Sequence, residues 1–394
     1  MRITGIVAEY NPLHRGHAHH LAEARRRTDA EAIVVVLAGN FTQRGTPALL
    51  DAADRCRMAL EAGADLVLLL PCLWAVRDAE HYALGAVELL RLAGCGTVCC
   101  GAEDADGEAL RAIAAFLEAE PEDFRKALAR RLDAGDSLAA ARSALLAERF
   151  PGHEGLLRQP NSILALCYQR AILRLHAEMG LVTVPRRGDY HSADAAVPLP
   201  SATALRGAFS RGDWDSLRRG MPERAWHHFT LCVREGRFCR EDSLDLPLLG
   251  RLRTMPEEAY ASLPDSAEGL GSLLRKAARS ALSREALIRQ CTSARYPAAR
   301  ISRLCTHALL GISREDILRN PLPEALWPLG FNQTGAAVLS AARQRGVPVI
   351  AKAARCPQPD APWFRVENQA QDLWALGAGL PMGTLFTRAV IRAE

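Results

Sequence analysis

The chain has 394 residues, with 49 basic against 45 acidic side chains and a formal charge of +4, which excludes a uniformly basic, histone-like binder but not a local basic face. At 49% hydrophobic and 24% charged it reads as a soluble globular protein, long enough for two domains. Only three of the basic residues are lysines (Lys126, Lys276 and Lys352), so functions that need a lysine cluster are excluded as well.

The amino-terminal segment lacks the long apolar stretch and cleavage site of a signal peptide. The longest apolar run, residues 66–76, contains Pro71 and is too short to span a bilayer. A cytoplasmic protein with no membrane partner is expected. The 11 cysteines are scattered, odd in number and without a CxxC pair, which argues against a disulfide framework and against cysteine-bound zinc.

In chain order, residues 3–10 form a short apolar run and 17–27 have helical spacing. Residues 32–37 (AIVVVL) read as a strand buried on both faces. Residues 50–62 are helical and stop at Gly63, a C-cap signal. A second buried strand is expected over 65–72, an amphipathic helix over 78–92 and a short strand over 96–100. This alternation predicts a parallel sheet with helices on both faces. Helical segments over 107–149 and 160–179 follow, then one more strand at 181–184. From about residue 222 strand-like runs become rare and helical spacing with proline-marked turns dominates. The expected architecture is an α/β domain over 1–220 followed by a mainly α-helical domain over 221–394.

The segment from Gly5 to His20 carries the chemistry. A strand runs into a turn marked by Asn11-Pro12, and a helix opens near Gly16. Within the turn, His14-Arg15-Gly16-His17 is an H-x-G-H pattern. A helix N-terminus offers unpaired N–H groups and the positive end of its dipole to phosphate. Gly16 lets the backbone approach a nucleotide, and two imidazoles three residues apart can donate to phosphate oxygens as charge develops. Four histidines (14, 17, 19 and 20) also allow a metal cluster or a solvated surface, but no carboxylate or cysteine stands beside them at ligand spacing. A second element, Ser201-x-Thr203-x-x-Arg206, opens a predicted helix after Pro198 and Pro200. Its hydroxyls can cap the helix or bind phosphate, and Arg206 can clamp phosphate one turn on.

These two motifs together resemble the nucleotidylyltransferase superfamily. Residues 39–45 (GNFTQRG), Cys100-Gly101-Ala102-Glu103, residues 160–164 (PNSIL), Tyr190-His191 and residues 329–332 (LGFN) extend the likeness. With them the chain resembles the bacterial tRNA(Met) cytidine acetate ligase family over most of its length. The resemblance implies a Rossmann-like parallel-sheet nucleotidylyltransferase domain of the HIGH type. It implies activation of acetate by ATP, with release of pyrophosphate. The acetyl group then passes to N4 of the wobble cytidine of elongator tRNA(Met).

By that resemblance the ATP site would take Val7, Ala8, Glu9, Tyr10, Asn11, Pro12, Leu13, His14, Arg15, Gly16, His17, Ala18, His19 and His20. Gly101, Asn161 and either Arg186 or Arg187 would join it. His14 and His17 would be catalytic, at the α- and β-phosphates, with Ser201, Thr203 and Arg206 as further phosphate ligands. Mg2+ is expected with ATP, without a dedicated protein site, and no obligate protein partner is evident. The family's usual Gly-Ser-Glu is Gly101-Ala102-Glu103 here, and the stretch before Tyr190-His191 is one residue short, which leaves Arg186 and Arg187 undecided.

Three other readings stand beside this one. Class I aminoacyl-tRNA synthetases share H-x-G-H but need a lysine-rich loop that three isolated lysines cannot form. A small-metabolite nucleotidylyltransferase of coenzyme biosynthesis would leave the helical C-terminal part unexplained. A non-catalytic RNA-binding relative would not need His14, Gly16, His17, Ser201 and Arg206 intact. Basic candidates for tRNA contact are Arg25, Arg26, Arg27, Arg125, Lys126, Arg130, Arg131, Arg218, Arg219, Arg300, Arg303 and Arg343.

Overall fold

A computed structural model describes residues 1–103, 106–136, 138–153, 156, 158–185 and 200–393. Its centre is a seven-stranded sheet of order β5-β4-β1-β2-β3-β6-β7. β1 (Ile3–Ala8), β2 (Ala32–Ala38), β3 (Leu66–Leu70), β4 (Thr97–Ala102) and β5 (Gly180–Pro185) are mutually parallel, as the alternating sequence predicts. Every residue of β2 and β3 is buried, which is why both read as unbroken apolar runs rather than alternating ones. The helical stretch over 107–149 resolves into helices Gly107–Ala119, Glu122–Asp133 and Leu138–Arg149. The helix expected over 160–179 is shorter, Pro160–Arg174.

Two strands come from beyond residue 220. β6 (Pro328–Phe331) lies antiparallel to β3, and β7 (Ile391–Arg392) pairs with β6. Strands of four and two residues are too short to show a period of two, so they carry no sequence signal. Asn332 ties this addition down, since its Nδ2 donates to Asp65 Oδ1 at 2.8 Å and its Oδ1 caps helix Gln333–Gln344.

The chain steps β1–β2–β3 in one direction, then returns to the other side of β1 for β4 and β5. The strand order therefore reverses between β1 and β4, and the crevice outside their carboxyl ends is where such sheets bind ligands. The carboxyl edge is fastened to the C-terminal part of the chain by buried polar contacts. Asn40 donates to Gln371 Oε1 (2.9 Å), while Gln371 and Arg388 both donate to Asp51 Oδ2 (3.0 and 2.6 Å). Gly45, at φ +82°, has room only for hydrogen, because a Cβ there would lie 2.9 Å from Arg303 Cα and Ser302 O. Arg284 and Thr306 both donate to its carbonyl.

Glu367 is buried at this edge and accepts from the Cys72 N–H at 2.7 Å. Burial raises its carboxyl from 4.5 to about 7. Between those values the unfolded chain releases this proton while the folded chain keeps it, so stability falls as pH rises through the window. The Glu367→Gln variant is expected to be more stable than the parent at pH 8, by on the order of 2–3 kcal/mol, and little different below pH 5. Equal differences at both pH values in denaturant unfolding would contradict this assignment.

Among the described residues, no helix is long and apolar enough to cross a membrane.

Candidate active site

The H-x-G-H segment lies where the sheet topology places a ligand. β1 ends at Ala8 with Val7 and Ala8 half-buried, and Glu9 to His14 form the turn into helix Arg15–Thr28. Tyr10 takes a left-handed φ of 47°, and the Asn11–Pro12 bond is cis. Pro12 and Leu13 are buried beneath the turn. Asn11 Oδ1 accepts from the Leu49 N–H at 2.8 Å, so this asparagine holds the turn rather than facing outward.

His14 is the N-cap of the helix, a place more often held by serine, threonine or aspartate. Its Nδ1 accepts from the Gly16 N–H at 3.0 Å, and His17 Nδ1 accepts from the His14 N–H at 3.3 Å. The two rings stack with centroids 3.6 Å apart, and the Tyr10 ring lies 4.9 Å from that of His17. With each Nδ1 acting as acceptor, the neutral imidazoles carry their protons on Nε2. The helix start thus presents two oriented Nε2–H donors beside its own positive dipole end, an arrangement suited to phosphate oxygens.

Gly16 is half of this geometry. A Cβ at Gly16 would sit 2.9 Å from His14 Cε1 and 3.0 Å from its Nδ1. The Gly16→Ala variant is therefore expected to fold normally but to displace the His14 ring. Adenylation should fall roughly tenfold or more, since small misplacements of positioning groups are costly. An alanine variant with unchanged rate would show that the ring position does not matter.

Arginines hold the turn from two sides. Arg206 Nη1 donates to the Asn11 carbonyl at 2.8 Å, and its Nη2 donates to Thr203 Oγ1 at 3.3 Å. Arg15 Nε donates to the Arg219 carbonyl at 2.7 Å. Ser201 is buried and caps helix Ala202–Arg211 through a 3.1 Å bond from the Ala204 N–H. The Ser201–Arg206 element is thus brought against the histidine turn, although it is nearly two hundred residues away in sequence. On the helix, Ala18 and His20 are half-buried and His19 is exposed, and His20 Nε2 lies 3.6 Å from Cys99 Sγ of β4.

Beneath the turn lies Arg55, which sequence reading passes over. It is fully buried, yet its guanidinium donates to four backbone carbonyls. These are Leu50 (2.9 Å), Glu9 (2.6 Å), Ala38 (3.0 Å) and Gly39 (2.5 Å). One side chain therefore joins the loop after β1 to the loop after β2. Burial lowers its pKa to about 10, so it stays charged at neutral pH. Glu9 extends the link, since its Oε1 accepts from the Gln43 N–H at 2.7 Å, and Gln43 in turn donates to the Arg77 carbonyl at 2.6 Å.

The other wall of the crevice is the end of β4. Gly101 is half-buried there, and Glu103 follows it. Asn161 Nδ2 donates to Glu103 Oε1, and Ser162 donates to Oε2 through its N–H (2.9 Å) and Oγ (3.1 Å). Burial opposes charge on Glu103, but these donors outweigh it and hold the carboxyl below its usual range. Asn161 is therefore not a simple cap. The N-cap of helix Pro160–Arg174 is Gln159, which makes no side-chain cap bond. Arg186, Arg187, Tyr190 and His191 lie outside the described residues.

Of the basic candidates for tRNA contact, many are already paired. Arg25 binds Asp65, Arg26 and Arg27 share Glu23, Lys126 binds Glu122, Arg131 binds Asp136 and Arg300 binds Glu268. Arg125, Arg218 and Arg343 carry no ion pair among the described residues. One grouping of potential metal ligands occurs among those residues: Asp54, His228 and Cys232. Arg237 Nη1 lies 2.6 Å from each Asp54 oxygen, and His228 Nε2 lies 3.0 Å from Oδ1, so an arginine already neutralises this carboxylate.

The HIGH Nucleotidyl Transferase family model matches residues 1–381. A tRNA(Met) cytidine acetate ligase of Clostridium kluyveri is 35% identical over 373 residues, covering 89% of this chain and 90% of the relative. Another, from Syntrophomonas wolfei, is 34% identical over 95% of both chains. The chain belongs to the tRNA(Met) cytidine acetate ligase family. The fold agrees with this placement. Thermotoga maritima TmcAL, solved bound with alpha-thio ATP, superposes with a TM-score of 0.89 at 26% identity, covering 100% of both chains. Its apo form gives a TM-score of 0.91.

Proposed function

We propose that this member of the tRNA(Met) cytidine acetate ligase family activates acetate with ATP and transfers the acetyl group to N4 of the wobble cytidine of elongator tRNA(Met). The observation that carries the reading is the pair His14 and His17. Both rings are fixed through Nδ1 at a helix N-terminus on the reversal point of the sheet. In the first step an acetate oxygen attacks the α-phosphorus in line. The bond to the β-phosphate bridging oxygen breaks, and pyrophosphate leaves with its electron pair. The Nε2–H donors of His14 and His17 and the helix N-terminus stabilise the charge that grows on the phosphates. In the second step the cytidine amine attacks the carbonyl carbon of acetyl-adenylate, AMP leaves, and the amine loses a proton to solvent. The wobble base must be splayed out of its stack to reach the anhydride.

The supporting residues follow. Val7 to His20, Gly101 and Asn161 would enclose ATP, with Arg186 or Arg187 completing the site. Ser201 and Thr203 act with Arg206, whose hold on the Asn11 carbonyl sets the turn beneath the phosphates. Mg2+ would enter with ATP, as the usual companion of its phosphates. Residues 1–220 would supply catalysis and 221–394 would contribute to the tRNA contacts, in the cytoplasm and without a required protein partner.

The first half-reaction tests the site apart from tRNA. Acetate-dependent exchange of labelled pyrophosphate into ATP is expected with the protein alone. Exchange that ignores acetate would remove the adenylation step from the reading.

A further inference from the structure

The end of β4 bears on how ATP would lie in the crevice, and it gives Glu103 a part that neither the motif nor the family likeness assigns. An ionised carboxylate has no hydrogen to donate. Among the described residues its donors include Asn161 Nδ2, the Ser162 N–H and Ser162 Oγ. The Asn161 amide must therefore turn its NH2 toward Glu103, which leaves Oδ1 on the opposite side. The same bonds place a negative charge on the N-terminus of helix Pro160–Arg174. That helix end is already neutralised and repels phosphate. The N-terminus of helix Arg15–Thr28, with its two imidazoles and no acidic residue in its first turn, attracts phosphate. In the ATP site proposed above, the triphosphate would then lie over His14 and His17, with the nucleoside extending toward Gly101 and Asn161.

We propose that Glu103 is a positioning residue for nucleotide recognition, orienting Asn161 so that its Oδ1 accepts a hydrogen bond from the nucleoside of ATP. This rests on the ATP site proposed above. The donor is either the exocyclic amine of adenine or a ribose hydroxyl, and the two are separable by analogues. Inosine triphosphate lacks the amine, while the 2′-deoxy and 3′-deoxy forms of ATP each lack one hydroxyl.

Glu103→Gln is the decisive variant. A glutamine can donate as well as accept, so it releases Asn161 to rotate and present Nδ2 instead of Oδ1. Equilibrium binding of the four nucleotides to the full chain reads the result without depending on acetate or tRNA. In the parent, the analogue lacking the donor should bind about tenfold more weakly than ATP, the weight of one good hydrogen bond. In Glu103→Gln that preference should collapse. If the donor is the amine, inosine triphosphate should gain affinity outright, because its carbonyl oxygen accepts from Nδ2. Glu103→Asp keeps an acceptor-only carboxylate and should retain the preference for ATP. Unchanged affinity ratios in Glu103→Gln would overturn the proposal, as would failure of both variants to fold, which would make Glu103 a helix cap and nothing more. A parent protein that binds no ATP would instead overturn the function proposed above.

Discussion

Replacing His17 by alanine is expected to slow acetate-dependent pyrophosphate exchange by roughly a hundredfold to a thousandfold, the usual cost of removing one oriented donor from a developing oxyanion. The loss should appear in kcat more than in the KM for ATP, because the donor is worth most when charge has built up on the phosphates. His17 also accepts from the His14 N–H and stacks on the His14 ring, so its removal loosens the second imidazole. The double variant lacking both rings should therefore lose less than the product of the two single losses. Affinity for tRNA should not change. A His17→Ala protein that exchanges pyrophosphate at the parent rate would remove the phosphate role from this ring.

The second large effect concerns stability. Arg55→Met fills similar space but leaves the carbonyls of Glu9, Ala38, Gly39 and Leu50 buried without their donor. Breaking such a buried charged arrangement is expected to cost roughly 3–5 kcal/mol in denaturant unfolding. Two of those carbonyls belong to the loop after β2 and one to the turn before His14, so residual folded protein should also bind ATP poorly. Arg55→Lys retains the charge but not the fork that reaches four acceptors, and it should fall between parent and methionine variant. A methionine variant as stable as the parent would mean that water or a shifted backbone satisfies these carbonyls.

Much of the fold, and the local shape of the histidine turn, was legible in the sequence because these elements are self-contained. The five parallel strands are long, apolar and bounded by cap and turn residues. The histidine turn joins a strand to a helix within one short segment. The rest depends on contacts across the chain. β6 and β7 are strands only because β3 offers an edge, and nothing in four or two residues announces that. Arg55 reads as one more helix arginine in an arginine-rich chain, and only the fold reveals that its guanidinium points inward. Glu103 is visible within a motif, but its partner lies 58 residues away. Asn40 and Asn332 stand within motifs that extend the likeness, and the fold shows what their side chains bind, Gln371 and the Ala52 N–H for one and Asp65 for the other. The bond from Arg206 to the Asn11 carbonyl likewise spans almost the whole catalytic half of the sequence.

The most direct measurement is the full reaction followed by mass spectrometry. The protein is incubated with ATP, labelled acetate and unmodified elongator tRNA(Met), and both the nucleotide products and the tRNA bases are analysed. The account predicts one AMP and one pyrophosphate for each labelled acetyl group on the wobble cytidine, with none on tRNA lacking that base. AMP formed without acetylcytidine, or ADP and phosphate in place of AMP and pyrophosphate, would contradict it.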